Sequence, residues 1–274
     1  MSDKRAIGVF DSGLGGLTVV KELIKALPNE SIVYFGDTGR GPYGTRSVET
    51  IKKYAKQDEE FLLNQDVKLI IAACGTVSSV ASFTASELPV PFIEVVTPAS
   101  VAAAKATRNG RIGVLGTSTT VNSESYKKKL LGIDPSLTVV QAACPLFVQL
   151  VESGWISRDD EITIATAKRY LEPVLESGVD TIILGCTHFP AIKDIIADVC
   201  GKWVTLINSG EHAALAAAKY LRENGMCGEG ASRRFYVSDR PVSFAATAAI
   251  LLGSPIGDEV ETVSLDSFGG NCLK

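Results

Sequence analysis

Two stretches of this 274-residue chain end alike. Val67-Lys68-Leu69-Ile70-Ile71-Ala72-Ala73 runs into Cys74, and Val179-Asp180-Thr181-Ile182-Ile183-Leu184-Gly185 runs into Cys186. A short apolar, β-branched run bounded by turn residues is what a strand buried on both faces looks like. Each thiol therefore falls where a buried strand gives way to a loop. In open α/β sheets that carboxyl edge is where ligands bind. A matched pair of thiols points to chemistry done twice, once from each side of a substrate.

The echo extends beyond the cysteines. Ile7-Gly8-Val9-Phe10 matches Ile112-Gly113-Val114-Leu115, Ser31 to Phe35 aligns with Leu137 to Gln141, and Pro91 to Val96 aligns with Trp203 to Ile207. Four matches in one order, each pair roughly 110 residues apart, indicate a duplicated α/β unit. Helical patterns fill the gaps. Leu17, Val20, Ile24 and Leu27 share a face that stops at Pro28; Ser47 caps a helix burying Ile51, Tyr54, Ala55, Phe61 and Leu62. Val77, Val80, Ala81 and Leu88 give a third helix, ended by Pro89. Ser157 is expected to cap a helix using Ile164, Ala167, Leu171 and Val174, which Pro173 should kink or split. Strands alternating with helices imply parallel sheets with right-handed crossovers.

The second repeat is followed by a helical stretch (211–221), a strand from Arg234 to Ser238 and a helix from Ala245 to Leu252. This tail is too short for a third domain and is expected to return to the first sheet. The expectation is an α/β chain of two similar doubly wound domains, with mainly parallel sheets. One domain comprises 1–97 plus 210–274 and carries Cys74; the other comprises 98–209 and carries Cys186. Crossings near Thr97-Pro98 and Asn208-Ser209-Gly210 would form a hinge, with the site in the cleft between the domains. The last residues, Gly269 to Lys274, are expected to fray.

Composition excludes several classes. A net charge of -4, with Lys127-Lys128-Lys129 as the only dense basic cluster, gives no nucleic-acid surface. No stretch approaches about 18 uncharged apolar residues, so no membrane span is expected. The N-terminus has no signal-peptide pattern and passes straight into a strand. Six cysteines in such a chain imply free thiols in a reducing compartment, the cytoplasm. Gly39-Arg40-Gly41-Pro42-Tyr43-Gly44 formally matches a dinucleotide fingerprint. However, it does not open a helix directly after a strand, and no acid follows at the right distance. Cys186 and His188 are close together, but the chain lacks the four-ligand spacing of structural zinc. No cofactor and no metal are expected.

Cys144, Cys200, Cys227 and Cys272 have no polar company and read as small hydrophobes. Cys74 and Cys186 stand at strand ends, followed by Gly75-Thr76-Val77-Ser78-Ser79 and by Thr187-His188. If helices start there, their free amide groups lower a thiol's pKa and bind a carboxylate. Asp11-Ser12-Gly13 and Gly36-Asp37-Thr38 follow other strands. Asp11 can orient an ammonium or take a thiol proton, while a turn or cap role explains Asp11 and Asp37 equally well. Glu152, just after the apolar run Leu146 to Val151, is a candidate hydrogen-bond partner of His188, with surface solvation as the alternative; His212 has no such context. A redox pair would need Cα atoms within about 7 Å, and a cysteine hydrolase gives a second thiol no task. Stereoinversion at carbon needs two groups, one removing a proton and one returning it to the opposite face.

The strings Gly8-Val9-Phe10-Asp11-Ser12-Gly13, Tyr34-Phe35-Gly36-Asp37-Thr38, Pro42-Tyr43-Gly44, Ala73-Cys74 with Thr76, and Gly185-Cys186-Thr187-His188-Phe189-Pro190 closely resemble the glutamate racemase family over almost the whole chain. The resemblance implies a cofactor-independent isomerase that converts L-glutamate to D-glutamate for bacterial peptidoglycan. It implies Cys74 and Cys186 as the acid/base thiols, assisted by Asp11 and His188, with Glu152 supporting His188. Ser12, Pro42, Tyr43, Gly44, Gly75, Thr76, Thr117 and Thr187 would hold the substrate, with Asp11 and His188 also in reach and Ser118 beside them. One departure stands out: the family commonly has Asn where this chain has Gly75, so a side-chain amide contact is lost. An aspartate racemase of the same superfamily stays open, since only side-chain length separates the substrates. A homodimer through apolar helix faces such as Val77 to Leu88 also stays open.

Overall fold

The computed structural model describes residues 3–80, 88–240, 242, 244–256 and 260–265. The strands are β1 (Ala6–Asp11), β2 (Ile32–Gly36), β3 (Val67–Ala72), β4 (Phe92–Glu94), β5 (Arg111–Gly116), β6 (Thr138–Ala143), β7 (Thr181–Leu184), β8 (Thr205–Asn208), β9 (Arg233–Val237) and β10 (Val260–Thr262). They form two sheets, in the orders β10-β9-β2-β1-β3-β4 and β6-β5-β7-β8, and every pairing is parallel. The central order β2-β1-β3-β4 reappears as β6-β5-β7-β8. The duplication read from the sequence is thus a duplication of topology. β3 and β7 occupy equivalent places, so Cys74 and Cys186 leave equivalent strand ends.

Helices interleave the strands: α1 (Leu17–Ala26), α2 (Val48–Leu63), α3 (Gly75–Val80), α4 (Val96–Ala106), α5 (Ser118–Ser123), α6 (Ser125–Ile133), α7 (Pro145–Glu152), α8 (Glu161–Glu176), α9 (Lys193–Cys200), α10 (Ser209–Glu223) and α11 (Phe244–Leu252). Ser47 caps α2 as expected, its hydroxyl accepting from the Thr50 N–H. Ser157 does not cap α8. Asp160 does, accepting from the Thr163 N–H at 2.8 Å, while Ser157 turns to Asp159. Pro173 neither breaks nor splits α8: it lies in the last turn, where a missing N–H removes a single ladder bond. β4 is shorter than the run from Pro91 to Val96, because Val96 already begins α4. β10 carried no sequence signal. The expected third helix is seen from Gly75 to Val80; its continuation through Ala81, like Cys272 and the chain end, lies outside the described residues.

The core is shared between the sheets. One buried cluster runs from Ile7, Val9 and Leu23 on the first sheet's side through Ala214 and Ala218 to Leu184 and Phe189 on the second. α10, entered directly from β8, packs on both α1 and α4. Its N-cap, Asn208, accepts from the Gly210 and Glu211 N–H groups. Small residues on its buried face, Ala213, Ala214, Ala217 and Ala218, permit that close packing. No helix among the described residues is long and apolar enough to cross a membrane.

Candidate active site

The carboxyl ends of the two sheets face one cavity of about 440 Å³. Ser12, Gly13 and Leu14 after β1 line it, as do Cys74, Gly75 and Thr76 after β3. Thr117 and Ser118 after β5, and Cys186, Thr187 and His188 after β7, close it from the other sheet. The segment 41–45 forms one wall, with Pro42, Tyr43 and Gly44 at its centre. Of the residues that the family resemblance assigns to catalysis or substrate binding, all but Asp11 line this space. Asp11 sits just behind the wall at the end of β1, 1% exposed.

Residues without a sequence signal, together with Glu152, complete the cleft. Pro145, Val148, Gln149 and Glu152 line it from α7, and Thr247 from α11. The spacing of those four positions is that of one helical face, but which face α7 turns inward depends on how it docks. Phe147 settles the docking by packing edge-on against Phe189, at a centroid distance of 5.2 Å.

The two thiols sit in different electrostatic settings. Cys74 donates to the Ser12 hydroxyl at 3.3 Å. Burial pushes its pKa up to about 12, and the Asp11 charge adds to the rise; the Ser12 hydroxyl and the Val77 N–H oppose it. That N–H belongs to the first turn of α3, which starts directly after Cys74 as expected. No helix starts at Cys186; a turn and a short 3-10 segment (Phe189–Ile192) follow instead. Its neighbour is His188, whose Nδ1 lies 3.9 Å from the Cys186 sulfur, while Nε2 lies 3.0 Å from Glu152 Oε1. Burial works against a charged imidazole. The bonds to Cys186 and Glu152 outweigh it and raise His188 to about 10, so it is an imidazolium at neutral pH.

Asp11 is the counterpart on the first side. Its Oδ2 accepts from the Gly13 N–H at 3.0 Å, whereas Oδ1 is buried with no partner. Burial raises its pKa, against the pull of His188 and two backbone N–H groups, which makes the carboxylate a better proton acceptor than an exposed one. Hydroxyls dominate the remaining polar lining. Thr76 and Thr117 touch across the cleft at 3.0 Å, and Thr119 donates to the Gly44 carbonyl at 2.8 Å. Tyr43 differs from expectation in one respect. Its side chain is fully buried and its hydroxyl engages Asp37 and Asp58, so only its backbone is offered to the cavity.

Two glycines set how closely the sheets approach. A Cβ on Gly15 would lie 2.2 Å from Thr187 Oγ1, and one on Gly75 would lie 2.2 Å from the Gly185 carbonyl oxygen. Beside the first contact, Thr18 donates to the Thr187 carbonyl at 2.8 Å.

The family model for Asp/Glu/hydantoin racemases matches residues 7–217, a span that holds every residue just described except Thr247. The chain belongs to that racemase family. Racemases are isomerases, and the matched span carries both cysteines. A glutamate racemase of Geobacter metallireducens is 44% identical over 267 residues, covering 96% of this chain and 98% of its own. One from Neisseria meningitidis is 42% identical over 267 residues, covering 96% of this chain and 97% of its own. The crystal structure of the Francisella tularensis glutamate racemase in complex with D-glutamate superimposes with a TM-score of 0.90 at 39% identity, covering 97% of this chain and all of that one. The racemase fold of the family, two α/β domains flanking a cleft, is the architecture described above.

Proposed function

We propose that this protein interconverts L- and D-glutamate by a two-thiol proton transfer that needs no added cofactor. The observation that carries the reading is the pair of buried cysteines at equivalent strand ends of two sheets, both bordering one cavity. The relatives named above, glutamate racemases matched over nearly their whole length, support glutamate as substrate.

The difficulty is the α-proton, which is weakly acidic beside a carboxylate. In one direction Cys74 removes it, and Cys186 returns a proton to the opposite face; in the other the roles exchange. A buried thiol held near 12 is a poor base on its own, so its proton must leave as it attacks. The unpartnered Asp11 Oδ1, on a carboxylate with a raised pKa, is the acceptor we assign. On the other side the imidazolium of His188 supplies or takes back the proton that Cys186 exchanges, and Glu152 holds the ring in line. Such acid/base assistance contributes about 100- to 10,000-fold. Ser12, Thr76, Thr117, Thr187 and the backbone of Pro42, Tyr43 and Gly44 hold the substrate's polar groups. The hydroxyls and the Tyr43 and Gly44 N–H groups are the neutral donors that stabilise the developing carbanion, while Pro42, which has no N–H, offers only its carbonyl as an acceptor. D-glutamate is a component of bacterial peptidoglycan, and we assign the enzyme to that supply, in the cytoplasm, where its thiols stay reduced.

The test is incorporation of solvent deuterium at the α-carbon of free glutamate with no cofactor added, with enantiomers separated by chiral chromatography. The enzyme should place deuterium mainly in the product enantiomer. Cys74→Ser and Cys186→Ser should each lower racemisation by at least about 100-fold. Retention of activity in either variant removes that cysteine from its role. Turnover of aspartate in preference to glutamate replaces the substrate.

A further inference from the structure

Behind the 41–45 wall lies a buried ionic cluster that the proton transfer does not use. Asp37, Tyr43 and Asp58 are each fully buried. Arg40 bridges the two carboxylates, its Nε donating to Asp37 Oδ2 at 2.6 Å and its Nη2 to Asp58 Oδ1 at 3.0 Å. The guanidinium also lies 4.1 Å over the Tyr54 ring, which fixes its plane. Ser238 donates to Asp37 Oδ1 at 2.7 Å. The Tyr43 hydroxyl contacts Asp37 Oδ2 and stands 3.0 Å from Asp58 Oδ2.

Counting protons decides the ionisation. A phenol carries one hydrogen. Asp37 already receives Arg40 and Ser238, as an anion does, and takes the Tyr43 proton in the shorter of the two contacts. Tyr43 Oη and Asp58 Oδ2 are then two oxygens at hydrogen-bond distance with no hydrogen between them, unless Asp58 carries it. Charge gives the same answer. Two carboxylates against one guanidinium leave a net negative charge in a buried site; one added proton makes the cluster neutral.

We propose that Asp58 is a neutral carboxylic acid heading an ordered chain, Asp58 O–H to Tyr43 O–H to the Asp37 carboxylate, and that this chain positions the 41–45 segment against the substrate. Asp58 is a positioning residue: it acts through Tyr43, whose backbone and neighbours line the cleft. The titratable and charged groups facing it are Asp37, Arg40 and Tyr43 from the loop and Glu59 from its own helix. Burial, with the Asp37 charge next, pushes its pKa well above the carboxylate range, in agreement with the proton count. The functional half of the inference rests on the racemase reading; the protonation state does not.

Infrared spectroscopy and kinetics test it together. The wild-type enzyme should show the carbonyl stretch of a protonated carboxylic acid that shifts in D2O and is missing from Asp58→Asn. An amide N–H can replace the acid O–H as donor, so Asp58→Asn should keep KM for glutamate within about threefold of wild type. Asp58→Ala, which leaves Tyr43 and Arg40 without their partner, should raise KM by about tenfold with a smaller change in kcat. Wild-type KM should also climb with rising pH once Asp58 loses its proton, and climb less in Asp58→Asn. No difference in the acid carbonyl band between wild type and Asp58→Asn, or an Asp58→Asn enzyme with KM raised tenfold or more, overturns the proposal. If Asp58→Ala does not fold, the band and the asparagine variant still decide. Were glutamate the wrong substrate, no variant would incorporate deuterium, yet the band would persist, so the two failures are distinguishable.

Discussion

His188 is the charged centre of its side of the cleft, and its charge has a consequence for pH. The folded protein holds this imidazole near 10, against 6.5 for the free side chain, because Cys186 and Glu152 outweigh its burial. A folded-state pKa above the unfolded one means that the native state binds the proton more tightly. The stabilisation is fully present below pH 6.5, declines between 6.5 and about 10, and is gone above that. Glu152→Gln removes the charge and should lower the His188 pKa, read directly by NMR of the ring. The stability gap between wild type and Glu152→Gln in urea unfolding should be widest below pH 6.5 and close toward pH 10. Glu152 is half-exposed, so added salt should narrow the gap. A gap that stays constant across that range contradicts the pairing.

The first turn of α8 shows how a helix start is chosen between two plausible caps. Ser157 and Asp160 both precede the apolar face of Ala167, Leu171 and Val174. Asp160 wins because its carboxylate reaches the Thr163 N–H at 2.8 Å and its charge suits the positive end of the helix, while the Thr163 hydroxyl ties back to the Trp155 carbonyl. Asp160→Ala should cost about 1 kcal/mol of stability, and Ser157→Ala should cost much less; equal effects in thermal unfolding would contradict the assignment. The same example marks what the sequence discloses. The strands were legible because apolar runs repeat in order, and Cys74 and Cys186 were legible because they close two of those runs. Pro145, Val148 and Gln149 were not, since their facing depends on Phe147 meeting Phe189, a contact between segments far apart in the chain; nor was Thr247, which reaches the cleft from α11 and donates to the Glu152 carbonyl at 3.4 Å, a contact 95 residues apart in sequence. The direction of the Tyr43 hydroxyl was equally hidden, because nothing in Pro42-Tyr43-Gly44 tells that Asp58, on another helix, takes part in its bonding.

Closure of the cleft depends on how near the two sheets can come, and Gly75 sets that limit at the point between the thiols. A Cβ there would lie 2.2 Å from the Gly185 carbonyl oxygen, a backbone atom that cannot swing aside. Any side chain at this position must push the Cys74 and Cys186 strand ends apart. Geometry in such sites is demanding: a displacement of about 1 Å can cost on the order of 100-fold in rate. Gly75→Ala should therefore lower kcat for glutamate racemisation by about tenfold to 100-fold. Its unfolding midpoint should fall modestly, because relieving a 2.2 Å contact with a backbone oxygen strains both strand ends, and the entropy that alanine removes from the unfolded chain offsets this only in part. Gly75→Asn, which adds a side-chain amide, should behave like Gly75→Ala and gain nothing, since its Cβ meets the same carbonyl before the amide can reach a substrate. Kinetics and thermal unfolding on the same preparations separate a cleft held open from a fold that is damaged. Either variant working within twofold of wild type would show that the sheets close without needing glycine between the sulfurs.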